Sequence, residues 1–367
     1  MIDFIPVQYY TDIYYNIIFL VVLFTWLHTR SFSGFTKATH SFSKISGILL
    51  FWFVLLYMGL RPISWYFGDM GVYARYYDIY AAGWDIGKTQ DIGFYTLMKW
   101  LSYFDSVSLF FFVITFLYVA PLYIATKRWF KKYYFFAFLI LVASFSFWTY
   151  GTNGLRNGLA TSFMVLAFSY MDKKWLMYLL FAIAYSFHSS MLLPIAAYFV
   201  TFFYRSSGFY FKIWVLSIFV SLIMGGAIEH FVGNLGIFED DRLSDYLTNK
   251  DAYADSFSST SFRWDFLIYS AFAVGISYYF IFKKKFKDKY YKQLTNIYLL
   301  TNAFWIVLIK ASFSNRFAYL SWYLMGIIII YPLLRKVYWK NQFSIIGGLT
   351  FLYFMFTYLM NFILPNI

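Results

Sequence analysis

Charge-free apolar stretches dominate the chain: eleven of them, such as Tyr133 to Leu155 and Asn341 to Ile367, alternate with small clusters of lysine and arginine. Each approaches the length, about 20 residues, at which a helix crosses a bilayer. The pattern predicts spans at 12–28, 44–60, 106–126, 133–150, 153–171, 175–187, 189–204, 210–230, 263–282, 293–310, 315–334 and 342–363. The expected fold is therefore all-α: a polytopic integral membrane protein of twelve crossings in a single transmembrane domain over residues 1–367, with both termini on one side. The run from Trp175 to Tyr204 decides the count, because 30 residues of straight helix would measure about 45 Å, well beyond the roughly 30 Å of a hydrocarbon core.

Charge gives the orientation. With the N-terminus outside, the inner loops hold 20 basic and two acidic residues, and the outer side holds 10 basic and 15 acidic ones. Cytoplasmic loops of membrane proteins carry such an excess. Reading 175–204 as one crossing would place Lys283 to Lys289 outside. The charge pattern favours two short helices of roughly 20 to 24 Å each. A hairpin that short does not reach the outer surface, so His188 at its tip is expected at the floor of an outward-facing depression. Two outer loops are large, 61–105 and 231–262. In the first, Asp69 is placed to cap a short interfacial helix on which Tyr73, Tyr76, Tyr77 and Tyr80 share a face.

Composition fits this picture: 61% hydrophobic, 27% aromatic and 13% charged, against roughly 25% charged in soluble proteins. The net charge of +13 does not indicate nucleic acid, because the basic residues sit between apolar runs rather than along one stripe. Cysteine is absent and the four histidines are scattered, which argues against a disulfide framework or a metal site, and no cofactor is expected. Met1 to Asp12 contains two acids and no lysine or arginine. The first apolar run is thus expected to be a retained span rather than a cleaved signal.

Candidate chemistry lies at the outer ends of the spans, where Arg61, Arg75, Arg156, Arg263 and Arg316 stand. The planar arginine fork makes paired hydrogen bonds to phosphate. In Thr152-Asn153-Gly154-Leu155-Arg156 the charge falls in the first turn of a span, where free amides and the helix dipole also favour an anion. The alternative is headgroup contact or pairing with Asp265 or Asp78. His188 has the chemistry of a general base or a phosphate donor, and equally that of a buried structural histidine. Asp69 and Asp78 offer a carboxylate base, or a cap and a partner for Arg75. Trp65, Tyr66, Tyr73, Tyr77 and Trp84 are candidate sugar-stacking surfaces. No nucleotide loop, glycosidase carboxylate pair or zinc motif stands out.

These stretches resemble the EpsG family of bacterial exopolysaccharide polymerases, relatives of the Wzy polymerases. The resemblance lies in Gly59-Leu60-Arg61 leading to Gly68-Asp69 and Tyr73, in Asp91-Ile92-Gly93-Phe94-Tyr95, in Asn153-Gly154-Leu155-Arg156-Asn157-Gly158-Leu159-Ala160, in Phe187-His188-Ser189-Ser190 and in Asn315-Arg316-Phe317-Ala318-Tyr319. The chain departs from the family pattern at Asp91, where Glu is typical, at Asn157 for Gln, and at Ser189 for Lys.

The resemblance implies a GT-C-like membrane glycosyltransferase of the bacterial cytoplasmic membrane, with an outward-facing cavity. It would move a growing glycan from polyprenyl diphosphate to a lipid-linked oligosaccharide repeat at the outer face. Its partners would be that lipid-linked oligosaccharide, membrane lipids, a flippase and a chain-length regulator. Direct displacement needs a base for the acceptor hydroxyl and cations for the departing diphosphate. Arg156 and Arg316 are expected on the leaving group and His188 or Asp69 as the base. Arg61, Arg75, Arg263, Asn153, Trp65 and Tyr73 are expected to bind substrate. An O-antigen ligase, another lipid-linked-sugar glycosyltransferase and a flippase are the competing readings.

Overall fold

The computed structural model describes residues 2–32, 34–88, 90–234, 262–311 and 315–366, with side chains undescribed at 225–234, 315 and 366. These residues are mostly helical, with no strand among them. Seven stretches are long and apolar enough to cross a membrane: Val7–Thr29, Lys37–Gly59, Val107–Val142, Ser207–Met224, Trp264–Lys283, Arg316–Arg335 and Gln342–Ile363. Among the described residues this count is smaller than the twelve crossings expected. The difference lies in spans that are shorter, broken or more polar than their apolar runs suggested.

The chain divides into two compact units, Met1–Met191 with Ile330–Ile367, and Leu192–Ile329. The first contains α1 (Val7–Thr29), α2 (Lys37–Gly59), a 3₁₀ turn at Trp65–Phe67, α3 (Met70–Ala81), α4 (Ile92–Ser102), α5 (Val107–Phe130), α6 (Tyr134–Val142), α7 (Phe147–Thr152), α8 (Leu155–Ser169) and α9 (Lys174–Phe187). The second contains α10 (Leu192–Phe203), α11 (Ser207–Asn234), α12 (Trp264–Tyr278), α13 (Lys289–Val307) and α14 (Asn315–Trp322). The chain returns to the first unit within α15 (Met325–Arg335) and ends it with α16 (Gln342–Tyr358).

In the first unit α5 packs on α2, α6 and α8, α8 packs on α9, and α1 packs on α16. Lipid tails give helices no hydrophobic reason to associate, so close backbone approach through small residues matters. At Gly158 a Cβ would stand 2.4 Å from the Tyr150 carbonyl oxygen. Only glycine lets α8 lie that close to α7. In the second unit α13 packs against α10, α11, α12 and α14 around a polar network. There Asn302 accepts from Trp214 Nε1 at 2.7 Å and donates to Ser270 and Ser321 at 3.2 and 3.0 Å.

Three sequence expectations change. The span expected at 133–150 is interrupted between Val142 and Phe147. Ser144 and Ser146 flank the break, and the main chain there closes i→i−3 bonds, Ser144 N to Leu141 O and Phe147 N to Ser144 O. The expected loop 61–105 is largely structured, holding α3 and α4, whereas most of 231–262, residues 235–261, lies outside the described residues. The predicted tyrosine face on α3 turns inward: Tyr73, Tyr77 and Tyr80 are buried.

Candidate functional site

The first unit gathers Arg156, Tyr73, Asn153, Asp69 and His188 around the start of α8. Gly154 stands at the N-cap of that helix without a side-chain cap bond, which puts Arg156 in the first turn. The guanidinium is held from two sides. Its Nε donates to the Tyr73 hydroxyl at 3.2 Å, and Nη1 donates to Asp91 Oδ2 at 2.5 Å. A guanidinium has five N–H donors, so Nη2 and one Nη1 hydrogen are left without a partner among the described residues. The Arg156 side chain keeps 27% of its exposure, against 3% for Asp91. Burial pushes the Tyr73 phenol above its usual pKa, partly offset by the Arg156 charge. Its oxygen therefore serves as a neutral acceptor.

Asp91, which opens the Asp91-Ile92-Gly93-Phe94 motif, joins the site although the sequence alone does not single it out. It occupies the N-cap position of α4 in the left-handed region, with φ of 52°, a conformation that aspartate tolerates better than most residues. This backbone turn aims one carboxylate oxygen at Arg156 and the other at the Ser189 N–H, 3.0 Å away. Asp91 thus ties α8 to the break after α9. That break falls at His188, where extended dihedrals of −157° and 123° end the helix. The helix interruption expected there is present. His188 Nδ1 accepts from the Ser190 N–H at 3.2 Å, which assigns the proton of the neutral ring to Nε2. Ser190 Oγ in turn donates to Asn157 Oδ1 at 3.4 Å.

Asn153 Oδ1 accepts the Asp69 N–H at 2.8 Å. Gly68 precedes it at φ of 62°, and a Cβ there would meet the Asn153 amide at 2.5 Å. The Asn153 turn and the start of α3 are locked together by this fit. Asp69 holds the N-cap position of α3, but its side chain makes no cap bond. It is half-buried and close enough to Tyr73 for its charge to act there.

Arg61 departs furthest from expectation. It is 1% exposed, so it lines no open surface. Its Nη1 donates to Met58 O at 2.5 Å and Nη2 to Thr152 O at 3.3 Å, while Nε has no partner among the described residues. Phe67 and Phe111 lie 5.7 Å from its guanidinium. Among the described residues no carboxylate pairs with it; the carbonyls ending α2 and α7, where helix dipoles are negative, face it instead. Burial pushes its pKa down to about 9.

The aromatic candidates separate. Trp65 and Trp84 are 66% and 73% exposed, and Tyr66 is exposed too, whereas Tyr73 and Tyr77 are buried and offer no stacking face. Tyr77 is spent on Leu101 O and the Ser106 N–H. Arg75 and Asp78 are both exposed and form no pair with each other among the described residues. In the second unit Arg263 is paired with Asp265 through two bonds of 3.0 and 2.6 Å and lies over the Phe266 ring. The ion-pair alternative holds for that residue. Arg316 is exposed in the first turn of α14.

Fold and charge pattern together define a multi-pass membrane protein whose first unit carries a polar, arginine-centred cluster at a helix start. The chain belongs to the EpsG family, whose model matches residues 44–366. Membership places it, in general terms, in polysaccharide biosynthesis at a membrane. No curated protein and no solved structure matches the chain significantly.

Proposed function

We propose that this protein is a polysaccharide polymerase that moves a growing glycan from polyprenyl diphosphate to a lipid-linked oligosaccharide repeat, in an outward-facing, GT-C-like cavity at the outer face of the cytoplasmic membrane. The observation that carries this reading is Arg156: a half-buried guanidinium at a helix start, held in place by Tyr73 and Asp91, with donors to spare. In the reaction the acceptor hydroxyl oxygen attacks the anomeric carbon and the bond from that carbon to the diphosphate oxygen breaks. The negative charge collects on the departing diphosphate, where Arg156 stabilises it.

Asp69 is the better candidate for the base, since its carboxylate makes no cap bond and ends the step carrying the hydroxyl proton. His188, with its Nδ1 already an acceptor, is assigned as a donor through Nε2 to phosphate or sugar. Trp65 and Trp84 offer flat faces to the glycan, and exposed Arg75 suits an acceptor phosphate. Arg316 is the candidate phosphate ligand of the second unit. Arg61 and Asn153 act on structure, by fixing the turn that presents Arg156.

Purified protein in lipid nanodiscs, given one synthetic lipid-linked repeat, tests the reaction. Elongated product with release of polyprenyl diphosphate is expected. In sealed vesicles, translocation without elongation would replace this reading with a flippase.

A further inference from the structure

We propose that Asp91 is an internal competitor for the diphosphate, set against Arg156 so that the spent carrier leaves after each transfer; this rests on the diphosphate reading of Arg156. Three observations carry it. Asp91 Oδ2 takes one Nη1 hydrogen of the same guanidinium at 2.5 Å. Its other oxygen is fixed by the Ser189 N–H at 3.0 Å, so the carboxylate is anchored on the arginine rather than swinging free. With the Asp91 side chain 3% exposed and both oxygens occupied, it has no reach to an acceptor hydroxyl and is not a base. It is a positioning residue that acts through Arg156.

The consequence follows from electrostatics. A lone arginine in a sheltered site would hold a diphosphate tightly through charge-assisted bonds. After transfer that tightness works against turnover, because the product still carries the charged group and must depart. A carboxylate held beside the guanidinium cancels part of its charge and repels the phosphates. Reactant and product both feel this. The gain is in release, while the donor retains the glycan contacts that the bare carrier lacks.

The test uses the full-length protein in nanodiscs with farnesyl diphosphate as the probe, its binding measured by calorimetry beside multiple-turnover elongation. Asp91→Asn is expected to bind the probe about tenfold more tightly. Elongation should then slow to a burst of first transfers followed by release-limited turnover. Asp91→Glu and Asp91→Gln provide the same charge comparison in a longer side chain if the Asn variant does not fold. There the Gln form should bind more tightly than the Glu form. A purely structural role would weaken binding in the uncharged forms, and that result, or unchanged affinity, overturns the proposal. Arg156→Ala keeps the two readings apart: if it binds the probe as the wild type does, the diphosphate assignment itself fails, whatever Asp91 does.

Discussion

Arg61 is the position where geometry and sequence pattern give opposite expectations, so its replacement is informative. A substrate ligand would be dispensable for folding and essential for activity. A buried strut would show the reverse. Truncation by Arg61→Ala removes two hydrogen bonds from a charged donor, at about 1.5 to 3 kcal/mol each, and opens a cavity between Phe67 and Phe111. Against that, the cation is expensive to bury. Burial lowers its pKa to about 9, a cost on the order of 5 kcal/mol at about 1.36 kcal/mol per pKa unit. Arg61→Met recovers that cost, keeps most of the volume and leaves only two carbonyls short of a donor. The Met variant should lie within about 2 kcal/mol of wild type. The Ala variant, with the cavity added, should fall lower by a further 2 to 5 kcal/mol or so. Thermal unfolding in detergent, followed by size-exclusion fluorescence, ranks the three proteins, and elongation is measured on equal amounts of folded material. The expected outcome is a stable, active Met variant and an unstable Ala variant. A Met variant that is folded and inactive would refute the structural assignment and return Arg61 to the substrate.

In the second unit, Asn302→Leu should lower the unfolding temperature, since it strands the Trp214 N–H in an apolar interior at about 1 to 3 kcal/mol, while the Ser321 hydroxyl keeps its bond to Ala318 O; an unchanged melt would show that the network contributes nothing. Gly158→Ala should separate α7 from α8, because the added Cβ meets backbone oxygen at 2.4 Å, and should reduce both stability and elongation; normal activity would show that the Arg156 turn tolerates the shift. A cysteine at Lys88 should react with an impermeant thiol reagent in intact cells, and one at Asp288 should be shielded. The chain has no cysteine of its own, so a reversed labelling pattern would directly contradict the orientation.

Much of the fold was legible because it depends on local periodicity. The spacing of Tyr73, Tyr76, Tyr77 and Tyr80 marks α3, and the length of the apolar run from Trp175 to Tyr204 calls for a break, which falls at His188. What sequence hid is long-range. Arg156 and Asp91 are 65 residues apart, and no short pattern pairs them; the only local signals were the Asp91-Ile92-Gly93-Phe94 motif and a residue type that accepts left-handed backbone. Arg61 reads like the other arginines at span ends, because burial against two helix ends depends on how α2 and α7 meet. The inward turn of the tyrosine face escaped for a similar reason. Periodicity reveals that a face exists, not whether it meets lipid, solvent or α4.

The central claim is that the Arg156 fork, and not merely its charge, stabilises the departing diphosphate. Arg156→Lys keeps the charge but cannot hold Tyr73, Asp91 and phosphate together from one ammonium. Losing such a contact in a sheltered site costs about 3 to 4 kcal/mol, or roughly a hundredfold to a thousandfold in rate. The measurement is the elongation rate of purified Arg156→Lys on a synthetic lipid-linked repeat, beside wild type and a control, Arg205→Lys, at an exposed arginine after α10 that the charge pattern expects on the inner side. The account predicts a long ladder from wild type and the control and single unextended repeats from Arg156→Lys; a normal ladder from Arg156→Lys would contradict it.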